Sequence, residues 1–408
     1  MATNNNNKAL NVPHLRFPEF SGEWKKVRLG EICNMLCGYA FNGEDIVEQG
    51  SYLLMRGINI TEGSIRHSSE LDRYYSGSIE KLDKYKLAVG DLVIGMDGSK
   101  VGRNSAIVSS YEDGSYLVQR VCRIKSSIGN NYILQFINNT KFHQYVDTVK
   151  TSSAIPHISL GDIQNFRISI PPTQDETDKI AKLFLLLDER IATQNKIIED
   201  LKKLKSAISK HLFVRKDLLE TTICLSDIAT LKNGYAFQSG KYNALGKWKI
   251  LTITNVPGER YINDEDCNCI INLPNDIQDH QVLKEGDILI SLTGNVGRVS
   301  LCKNGNYLLN QRVGLLQLAK NVNQEFLYQI LSSQRFENSM IACGQGAAQM
   351  NIGKGDVENY VLPYSSNGNN ILFAAKILHS YDECIINELR RLTLLTMQKQ
   401  YLLTQMFI

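Results

Sequence analysis

The feature that most constrains this chain is an internal duplication. The tetrapeptide GYAF occurs at 38–41 and again at 234–237. When the second half is aligned with the first, at a shift between 192 and 196 residues, further blocks match in the same order. They pair GDLVIGMDG with GDILISLTG, VGR with VGR, LVQRV with LNQRV, GDIQNFRI with GDVENYVL, and LDERI with YDECI. Ordered matches at a nearly constant spacing indicate a tandem duplication, so the fold contains two similar modules.

Composition places the chain among soluble globular proteins. Of its 408 residues, 43% are hydrophobic and 21% are charged. The apolar run LFLLL at 183–187 is far shorter than the roughly 20 residues that a membrane span needs. The polar opening MATNNNNKAL lacks the apolar stretch of a secretory signal, which predicts a cytoplasmic protein. The formal net charge is only +3, so any surface that binds a polyanion has to be local.

The cysteines do not form a metal-binding pattern. Nine are scattered along the chain, and CNMLC (33–37) and CNC (267–269) have no suitably spaced histidines. Structural zinc sites need four ligands at defined spacings. We therefore expect reduced thiols packed as small hydrophobic side chains, and no bound metal.

Each copy divides into a head and a long helix. The heads contain short apolar runs between Gly, Asn, Asp and Ser clusters, with helical interruptions at 130–146 and 323–340. This pattern predicts a mixed α+β fold, in which two α/β heads are each followed by a long helix. The predicted domains are a tail and lead-in (1–24), head 1 (25–170), the central helix (171–216), head 2 (217–363) and the C-terminal helix (364–408).

Apolar residues alternate by four and three along both helical segments, which predicts that they pair as an antiparallel coiled coil. Two positions on this seam are polar in both copies, namely Gln194 with Glu388 and Lys205 with Lys399. Two unrelated helices that each cover their own head would explain that agreement poorly. The predicted seam is Leu187, Ile191, Gln194, Ile198, Leu201, Lys205 and Ile208 on the first helix, and Ile385, Glu388, Leu392, Leu395, Lys399 and Leu402 on the second.

No catalytic motif is evident. The sequence lacks GxxxxGK[ST], HExxH, GxSxG and an EF-hand loop, and IPPT (170–173) lacks the amide or carboxylate of the amino-methylating motif. Two aspartate pairs align between the copies, Asp91 with Asp287 and Asp162 with Asp356. Each follows Gly before an apolar run, where Asp commonly accepts hydrogen bonds from its own backbone. We therefore assign these carboxylates to turns.

What remains is binding chemistry at matching positions in the two heads. The Gly-rich loops at 96–105 and 292–300 each contain an arginine suited to phosphate oxygens. The segments 150–162 and 343–356 are rich in polar side chains, and a Gln-Arg pair lies on a strand-like run in each copy. The predicted DNA contacts are Lys100, Arg103, Gln119, Arg120, Lys150, Ser152, Ser153, His157, Asn295, Arg298, Gln311, Arg312, Gln345, Gln349, Asn351 and Lys354.

These features together resemble the specificity subunit of type I DNA restriction–modification systems. The resemblance is carried by LRFPEFSGEWKKVRLGEI (15–32), the GYAF segments, the two GD…VGR blocks and HISLGDIQNFRISIPPTQDETDKIAKLFLLLDERI (157–191). It implies two target-recognition domains, each reading half of a bipartite double-stranded DNA target, with the helix pair setting the spacing. It also implies docking of two methyltransferase subunits, with restriction/translocase subunits in the full complex.

The same resemblance implies that the chain has no catalytic residues and binds no cofactor. S-adenosylmethionine, ATP and Mg²⁺ would then belong to partner subunits. PYSSNGNN (363–370) departs from the family pattern seen in PPTQDETD (171–178).

Two other classes of function stay open from the residues alone. One is a self-sufficient DNA methyltransferase or nuclease fusion, which would bind S-adenosylmethionine or cut DNA without partners. The other is a coiled-coil scaffold whose two heads bind protein or glycan. Tyr39, Phe41, Tyr235 and Phe237 could stack on sugars in that case, although aromatic residues at strand ends more commonly serve packing.

Overall fold

The duplication is visible in the backbone of the computed structural model, which describes residues 10–344 and 350–408. Contacts divide the chain into two units. Unit 1 is Met1–Thr193 with Leu392–Ile408, and unit 2 is Gln194–Arg391. These units differ from the linear domains expected from the sequence, because each contains one head and parts of both long helices.

Unit 1 is built on two four-stranded sheets. Its strands are β1 (Lys25–Arg28), β2 (Cys33–Cys37), β3 (Ile46–Val47), β4 (Tyr52–Met55), β5 (Ile60–Thr61), β6 (Ser64–Ile65), β7 (Tyr74–Tyr75), β8 (Leu92–Gly95), β9 (Ser105–Ile107), β10 (Tyr116–Leu117), β11 (Val121–Ser126) and β12 (Arg167–Ile170). The sheet orders are β2-β11-β8-β9 and β10-β4-β7-β3, while β1 pairs with β12 and β5 with β6. The shorter helices are α1 (Leu29–Ile32), α2 (Asn130–Ile137), α3 (Thr140–Val149) and α4 (Leu160–Asn165).

The first long helix, α5 (Gln174–Leu212), follows this head, and unit 2 repeats the plan. The strands of unit 2 are β13 (Thr221–Cys224), β14 (Ala229–Asn233), β15 (Trp248–Leu251), β16 (Asn268–Ile270), β17 (Val282–Leu283), β18 (Ile288–Ser291), β19 (Val299–Leu301), β20 (Tyr307–Leu309), β21 (Val313–Leu318) and β22 (Val361–Tyr364). Its sheets run β14-β21-β18-β19 and β16-β15-β20-β17. The helices are α6 (Gln324–Leu331), α7 (Gln334–Cys343), α8 (Lys354–Glu358) and the second long helix α9 (Gly368–Met406). The mixed α+β prediction is therefore confirmed.

The expected helical interruption of each head is a pair of helices. The predicted segments 130–146 and 323–340 are divided at Asn138–Asn139 and Ser332–Ser333. Asn139 Oδ1 accepts from Lys141 N at 2.9 Å, and Ser333 Oγ accepts from Phe336 N at 3.4 Å. These side chains cap the second helix of each pair, which ends the first helix early.

Both long helices begin at a matching cap. Thr173 Oγ1 accepts from Glu176 N at 3.4 Å, and Asn367 Oδ1 accepts from Asn369 N at 3.0 Å. Each helix then runs for 39 residues without Pro. Helices of this length derive most of their stability from tertiary packing, so the partners along their faces determine where they lie.

The two heads are completed by the ends of opposite long helices. In unit 1, Phe407 from the end of α9 lies 4.7 Å from Phe136 and 5.5 Å from Phe184 on α5, measured between ring centroids. In unit 2, Phe213 just after α5 lies 6.4 Å from Phe326. Both phenylalanines are buried, which stabilises each unit by about 2 kcal/mol per side chain. Within each unit, the start of one long helix therefore packs against the end of the other, which makes the pair antiparallel.

Each of the nine cysteines, all within the described residues, is a free thiol. Over the same ranges, no group of three or more His, Cys, Asp or Glu side chains is placed to hold a metal ion. No helix in the described part of the chain combines the length and apolar character that crossing a membrane requires.

Candidate nucleic-acid interface

The Gly-rich loop of unit 1 joins β8 to β9, and that of unit 2 joins β18 to β19. Gly102 and Gly297 occupy equivalent places and have positive φ values of 74° and 78°. A Cβ on Gly102 would lie 2.7 Å from the Val146 side chain, and one on Gly297 would lie 2.6 Å from Met340. Glycine is therefore required at both positions, because the loop packs directly on the helix behind it.

The arginines of these loops are partly neutralised by that helix. Arg103 donates to Asp147 Oδ2 at 2.9 Å, and Arg298 Nε lies 3.5 Å from Glu337 Oε1. Their side chains stay 37% and 39% exposed. A phosphate would thus compete with a carboxylate for each guanidinium, and the phosphate role stays a prediction.

Three basic side chains lie at or beside the first Gly-rich loop, namely Lys100, Arg103 and Lys150. Lys150 donates to Asp147 Oδ1 at 2.7 Å, and that hydrogen bond holds the pKa of the Asp147 carboxyl below its usual value. Burial, followed by the nearby Arg103 guanidinium, lowers the pKa of His143. Lys100 is exposed and lies 3.3 Å from Glu62. Its counterpart on the second loop, Asn295, is also exposed.

The Gln-Arg pairs lie in turns, so their placement on strands is wrong. Gln119 and Arg120 separate β10 from β11, while Gln311 and Arg312 separate β20 from β21. All four residues are exposed, and Arg120 has a φ of 69°. Gln119 N donates to the carbonyl of Tyr39 at 2.8 Å, and Gln311 N donates to that of Tyr235 at 3.0 Å. In the turn, the Gln and Arg side chains are both exposed, whereas on a strand one of them would face the core.

The GYAF segments hold these turns in place. A Cβ on Gly38 would lie 2.1 Å from the Val118 carbonyl oxygen, and one on Gly234 would lie 2.2 Å from that of Asn310. The aromatic pairs that follow pack on each other, with centroids 5.1 Å apart in the first copy and 4.9 Å apart in the second. The shared tetrapeptide is thus a structural element that fixes the position of the Gln-Arg turn.

The third polar segment joins the Gly-rich loop through a matching backbone bridge. His157 bridges Asp97 in unit 1, and Asn351 bridges Thr293 in unit 2. Thr293 Oγ1 also donates to Asn351 Oδ1 at 3.2 Å. Ser152 and Ser153 are exposed on this segment, and Ser153 Oγ donates to the Ile155 carbonyl.

The remaining predicted contacts of the third segment fall outside this bridge. Lys354 begins α8, where its Nζ lies 3.7 Å from Glu358. Gln345 and Gln349 lie outside the described residues. Their predicted contact with DNA stays a prediction.

Three loops therefore meet in each unit and form what we call the loop platform. In unit 1 it comprises 96–104, 118–120 and 150–157, and in unit 2 it comprises 292–298, 310–312 and 350–353. Met96 N donates to Arg120 O at 2.9 Å and Leu292 N donates to Arg312 O at 3.0 Å, which links the turn to the Gly-rich loop. The same backbone framework thus presents polar side chains twice.

A fourth element of this region has little signal in the sequence. A 3₁₀ turn ends at a buried asparagine in each copy, Asn59 in Gly57–Asn59 and Asn255 in Ile253–Asn255. The only available signal was their alignment at a shift of 196 residues within otherwise different segments.

The aligned aspartates serve the backbone. Asp91 Oδ2 accepts from Ala88 N at 3.0 Å, and Asp287 Oδ2 accepts from Lys284 N at 2.8 Å, which confirms the turn assignment. For the second pair a turn is wrong, because Asp162 and Asp356 lie in the first turn of α4 and α8. There they accept from the backbone N of the residue that precedes the helix, at 2.7 and 2.8 Å. Such carboxylates stabilise helix starts.

The polar seam positions are partnered within each unit. Gln194 Nε2 donates to the Glu388 carboxylate at 2.5 Å, which holds the pKa of Glu388 below its usual value. Lys205 donates to Asp382 at 2.6 Å, and Lys399 donates to Asp188 at 2.5 Å. The other predicted seam residues are all buried or half-buried: Leu187, Ile191, Ile198, Leu201 and Ile208 on α5, and Ile385, Leu392, Leu395 and Leu402 on α9.

Other apolar side chains on the long helices face outward. In unit 1 these include Leu186, Leu394, Met397 and Tyr401, with exposures between 55% and 65%. In unit 2, Ile197, Leu204 and Phe373 are between 41% and 49% exposed. Clustered apolar surface on a helix is typical of a site that binds another protein.

The fold and its paired loop platforms define a duplicated α+β protein whose halves share a framework and differ in their surface residues. Residues 21–203 and 220–396 both match the family model described as the type I restriction modification DNA specificity domain. Because the matches cover most of the chain, the protein belongs to this family.

Individual relatives agree with this assignment. The chain is 29% identical over 179 residues to the type I restriction enzyme EcoAI specificity subunit of Escherichia coli, covering 43% of this chain and 29% of that one. It is 28% identical over 212 residues to the MjaVIII specificity subunit of Methanocaldococcus jannaschii, covering 46% and 49% of the two chains. These matches therefore span less than half of each relative.

A solved structure shares the fold across nearly the whole chain. The type I restriction–modification S subunit from M. genitalium superimposes with a TM-score of 0.60 at 16% sequence identity. The alignment covers 97% of this chain and 99% of the other. At this identity, the likeness supports the architecture only.

Proposed function

We propose that the chain reads a bipartite double-stranded DNA target, with one half-site bound by the loop platform of each unit. The observation that carries this proposal is the repetition of one backbone framework with different polar side chains. Gln119–Arg120 and Gln311–Arg312 are shared, whereas Asp97 and His157 are replaced by Thr293 and Asn351. Shared polar groups suit the DNA backbone, which has the same chemistry in any sequence, and the differing groups suit base edges.

We further propose that the long helices bind methyltransferase subunits. The exposed apolar side chains of α5 and α9 support this proposal, because two such helices in water leave costly apolar surface uncovered. A 39-residue helix is about 58 Å long, so the pair offers a surface long enough for more than one partner. Restriction/translocase subunits would join the same complex.

The chemistry would then take place on the partners. We propose that S-adenosylmethionine, ATP and Mg²⁺ act on those subunits, and that this chain contributes recognition and positioning. The aligned carboxylates of the heads are engaged by backbone N–H groups, which agrees with that division of roles.

A domain exchange tests the bipartite reading. Residues 217–363, which all lie in unit 2, are replaced by the equivalent segment of a relative with a different target, and the chimera is expressed with its methyltransferase partner. Modified adenines are then mapped across a genome. We expect one half of the methylated motif to change while the other half is retained, and exchange of 25–170 should give the reciprocal result.

The reciprocal exchange is the matched control, because it replaces the equivalent head of the other unit. A motif that stays unchanged in both chimeras, or that changes in both halves with either one, would contradict the proposal.

A further inference from the structure

The 3₁₀ turn beside each loop platform is built the same way in both units. Asn59 Oδ1 accepts from Arg56 N at 3.3 Å, and its Nδ2 donates to the Arg66 carbonyl at 3.2 Å. Asn255 makes the same two bonds, to Thr252 N at 2.8 Å and to the Asn263 carbonyl at 2.9 Å. The buried amide therefore fixes the path of the turn whatever residues stand at its tip.

The turn lies against the Gly-rich loop. A Cβ on Gly57 would be 3.5 Å from Asp97 Oδ1, and one on Gly294 would be 3.4 Å from Ile253 Cδ1. The chain that follows the turn bridges the neighbouring strands, through Glu62 to Ser105 in unit 1 and through Tyr261 to Leu301 in unit 2. The turn is thus a fourth part of the polar surface in each unit.

The residue at the tip is exposed and differs between the copies. Ile58 stands in unit 1 with 50% of its surface accessible, and the equivalent residue in unit 2 is the exposed Thr254. The buried amides of Asn59 and Asn255 hold the turn in both units. Thr254 Oγ1 lies 2.9 Å from Thr252 Oγ1, and because a hydroxyl has one donor and two acceptor sites, this contact leaves capacity for a base edge. Because half of the Ile58 surface is exposed beside a polar loop, this side chain is available to contact a ligand.

We propose that Ile58 and Thr254 determine base preference, each within its own half-site. This inference rests on the proposed function. An apolar side chain in the major groove favours the C5-methyl group of thymine, whereas a threonine hydroxyl bonds donors and acceptors on several base edges. Ile58 therefore selects thymine at one position of its half-site, and Thr254 reads one position of the other.

The test uses the full chain expressed with its methyltransferase partner in a host that lacks adenine methylation. Wild type, Ile58→Thr and Thr254→Ile are compared by mapping modified adenines. We expect Ile58→Thr to reduce thymine preference at one position roughly fivefold or more, with the other half-site and the spacer unchanged. Thr254→Ile should shift one position of the opposite half-site toward thymine.

Two further variants keep the result interpretable. Val89→Thr likewise replaces a β-branched apolar side chain by threonine, at a residue that is 60% exposed outside the platform, and it should leave the motif unchanged. Ile58→Val keeps an apolar tip and should keep the thymine preference, so a folding defect in Ile58→Thr is recognised separately.

The outcomes separate this inference from the proposed function. A wild-type motif that is bipartite but unaltered by either tip variant would overturn the inference and leave the function standing. Uniform loss of methylation at all bases, with an unchanged melting profile, would also overturn it, because positioning alone confers no base preference. A wild-type complex whose methylation shows no bipartite motif would instead refute the proposed function.

Discussion

The bridge between head and long helices differs between the two units. In unit 1, Lys399 donates to Asp188, and Gln135 Nε2 lies 3.4 Å from the same carboxylate. The equivalent residues of unit 2 are Lys205, Asp382 and Gln329. Lys205 donates to Asp382, and Gln329 donates to Asp382 at 2.6 Å. Unit 2 then adds an arginine and a glutamate, so that a single bridge has become a cluster of charges.

Arg260 is the centre of that cluster. It donates to both oxygens of Glu325, at 2.9 and 2.7 Å, and to Asp382 at 3.0 Å. Its side chain is only 8% exposed, and its guanidinium lies 5.1 Å from the Tyr328 ring centroid. In unit 1 the position that matches Glu325 is Asn131. Both copies therefore keep the lysine–aspartate contact between the long helices, whereas unit 2 adds the Arg260–Glu325 ion pair to it.

The largest expected effect comes from removing this arginine. Arg260→Met removes the guanidinium that Glu325 and Asp382 share and leaves Gln329 as their common donor, which should destabilise unit 2 by about 3 kcal/mol. Denaturant unfolding, with hydrogen exchange followed on α6, measures the loss. The control is Lys202→Met, because Lys202 pairs with Glu259 at the surface and should cost at most about 1 kcal/mol. Equal losses in the two variants would show that the cluster contributes little.

A smaller effect should distinguish the two aspartates. Asp382 accepts from Lys205, Arg260 and Gln329 and is 7% exposed, whereas Asp188 is 33% exposed. We expect Asp382→Asn to cost about 2 kcal/mol and Asp188→Asn about 1 kcal/mol. Hydrogen exchange on α6 and α2 reports the two units separately. A larger loss for Asp188→Asn would mean that the added charges of unit 2 compensate one another without the aspartate.

The duplication and the helix pairing could be predicted because they depend on sequence periodicity. The positions of Gln194, Lys205, Glu388 and Lys399 on the seam repeat at a fixed spacing, and a repeat is readable without any structure. The acidic partners were not predicted. Asp188 lies one residue after the seam position Leu187, where an exposed charge is the usual expectation, and Asp382 is its equivalent 194 residues later.

The charge cluster and the loop platform could not be predicted because their members are distant in sequence. Arg260, Glu325 and Asp382 meet only after three elements of unit 2 have packed. Apolar residues flank the Gln-Arg pairs on both sides, and this pattern predicts strands. Backbone contacts from Tyr39 and Tyr235 make turns of them, and such contacts leave no local pattern.

The smallest expected effect concerns pH, because unit 2 has the titratable Glu325 where unit 1 has Asn131. Burial acts to raise the pKa of Glu325, but hydrogen bonds from Arg260 and Gln329 together hold it below the usual value. A carboxyl with a lowered folded pKa adds stability above its unfolded pKa of about 4.3, and that contribution is lost as pH falls through the folded value. The protection of α6 amides, corrected for the intrinsic exchange rate at each pH, should therefore fall more steeply in acid than that of α2 amides, where Asn131 does not titrate.

Glu325→Gln tests this assignment directly. The variant should be less stable at neutral pH, and its α6 protection should decline less between about pH 5 and pH 3 than that of the wild type. Glu112 in unit 1 also has a lowered pKa, since hydrogen bonds from Ser109 and His67 outweigh its burial. Global unfolding therefore mixes the two units, and the local readout on α6 is required. An unchanged acid slope in Glu325→Gln would place the acid sensitivity elsewhere and leave Arg260 stabilised mainly by Asp382.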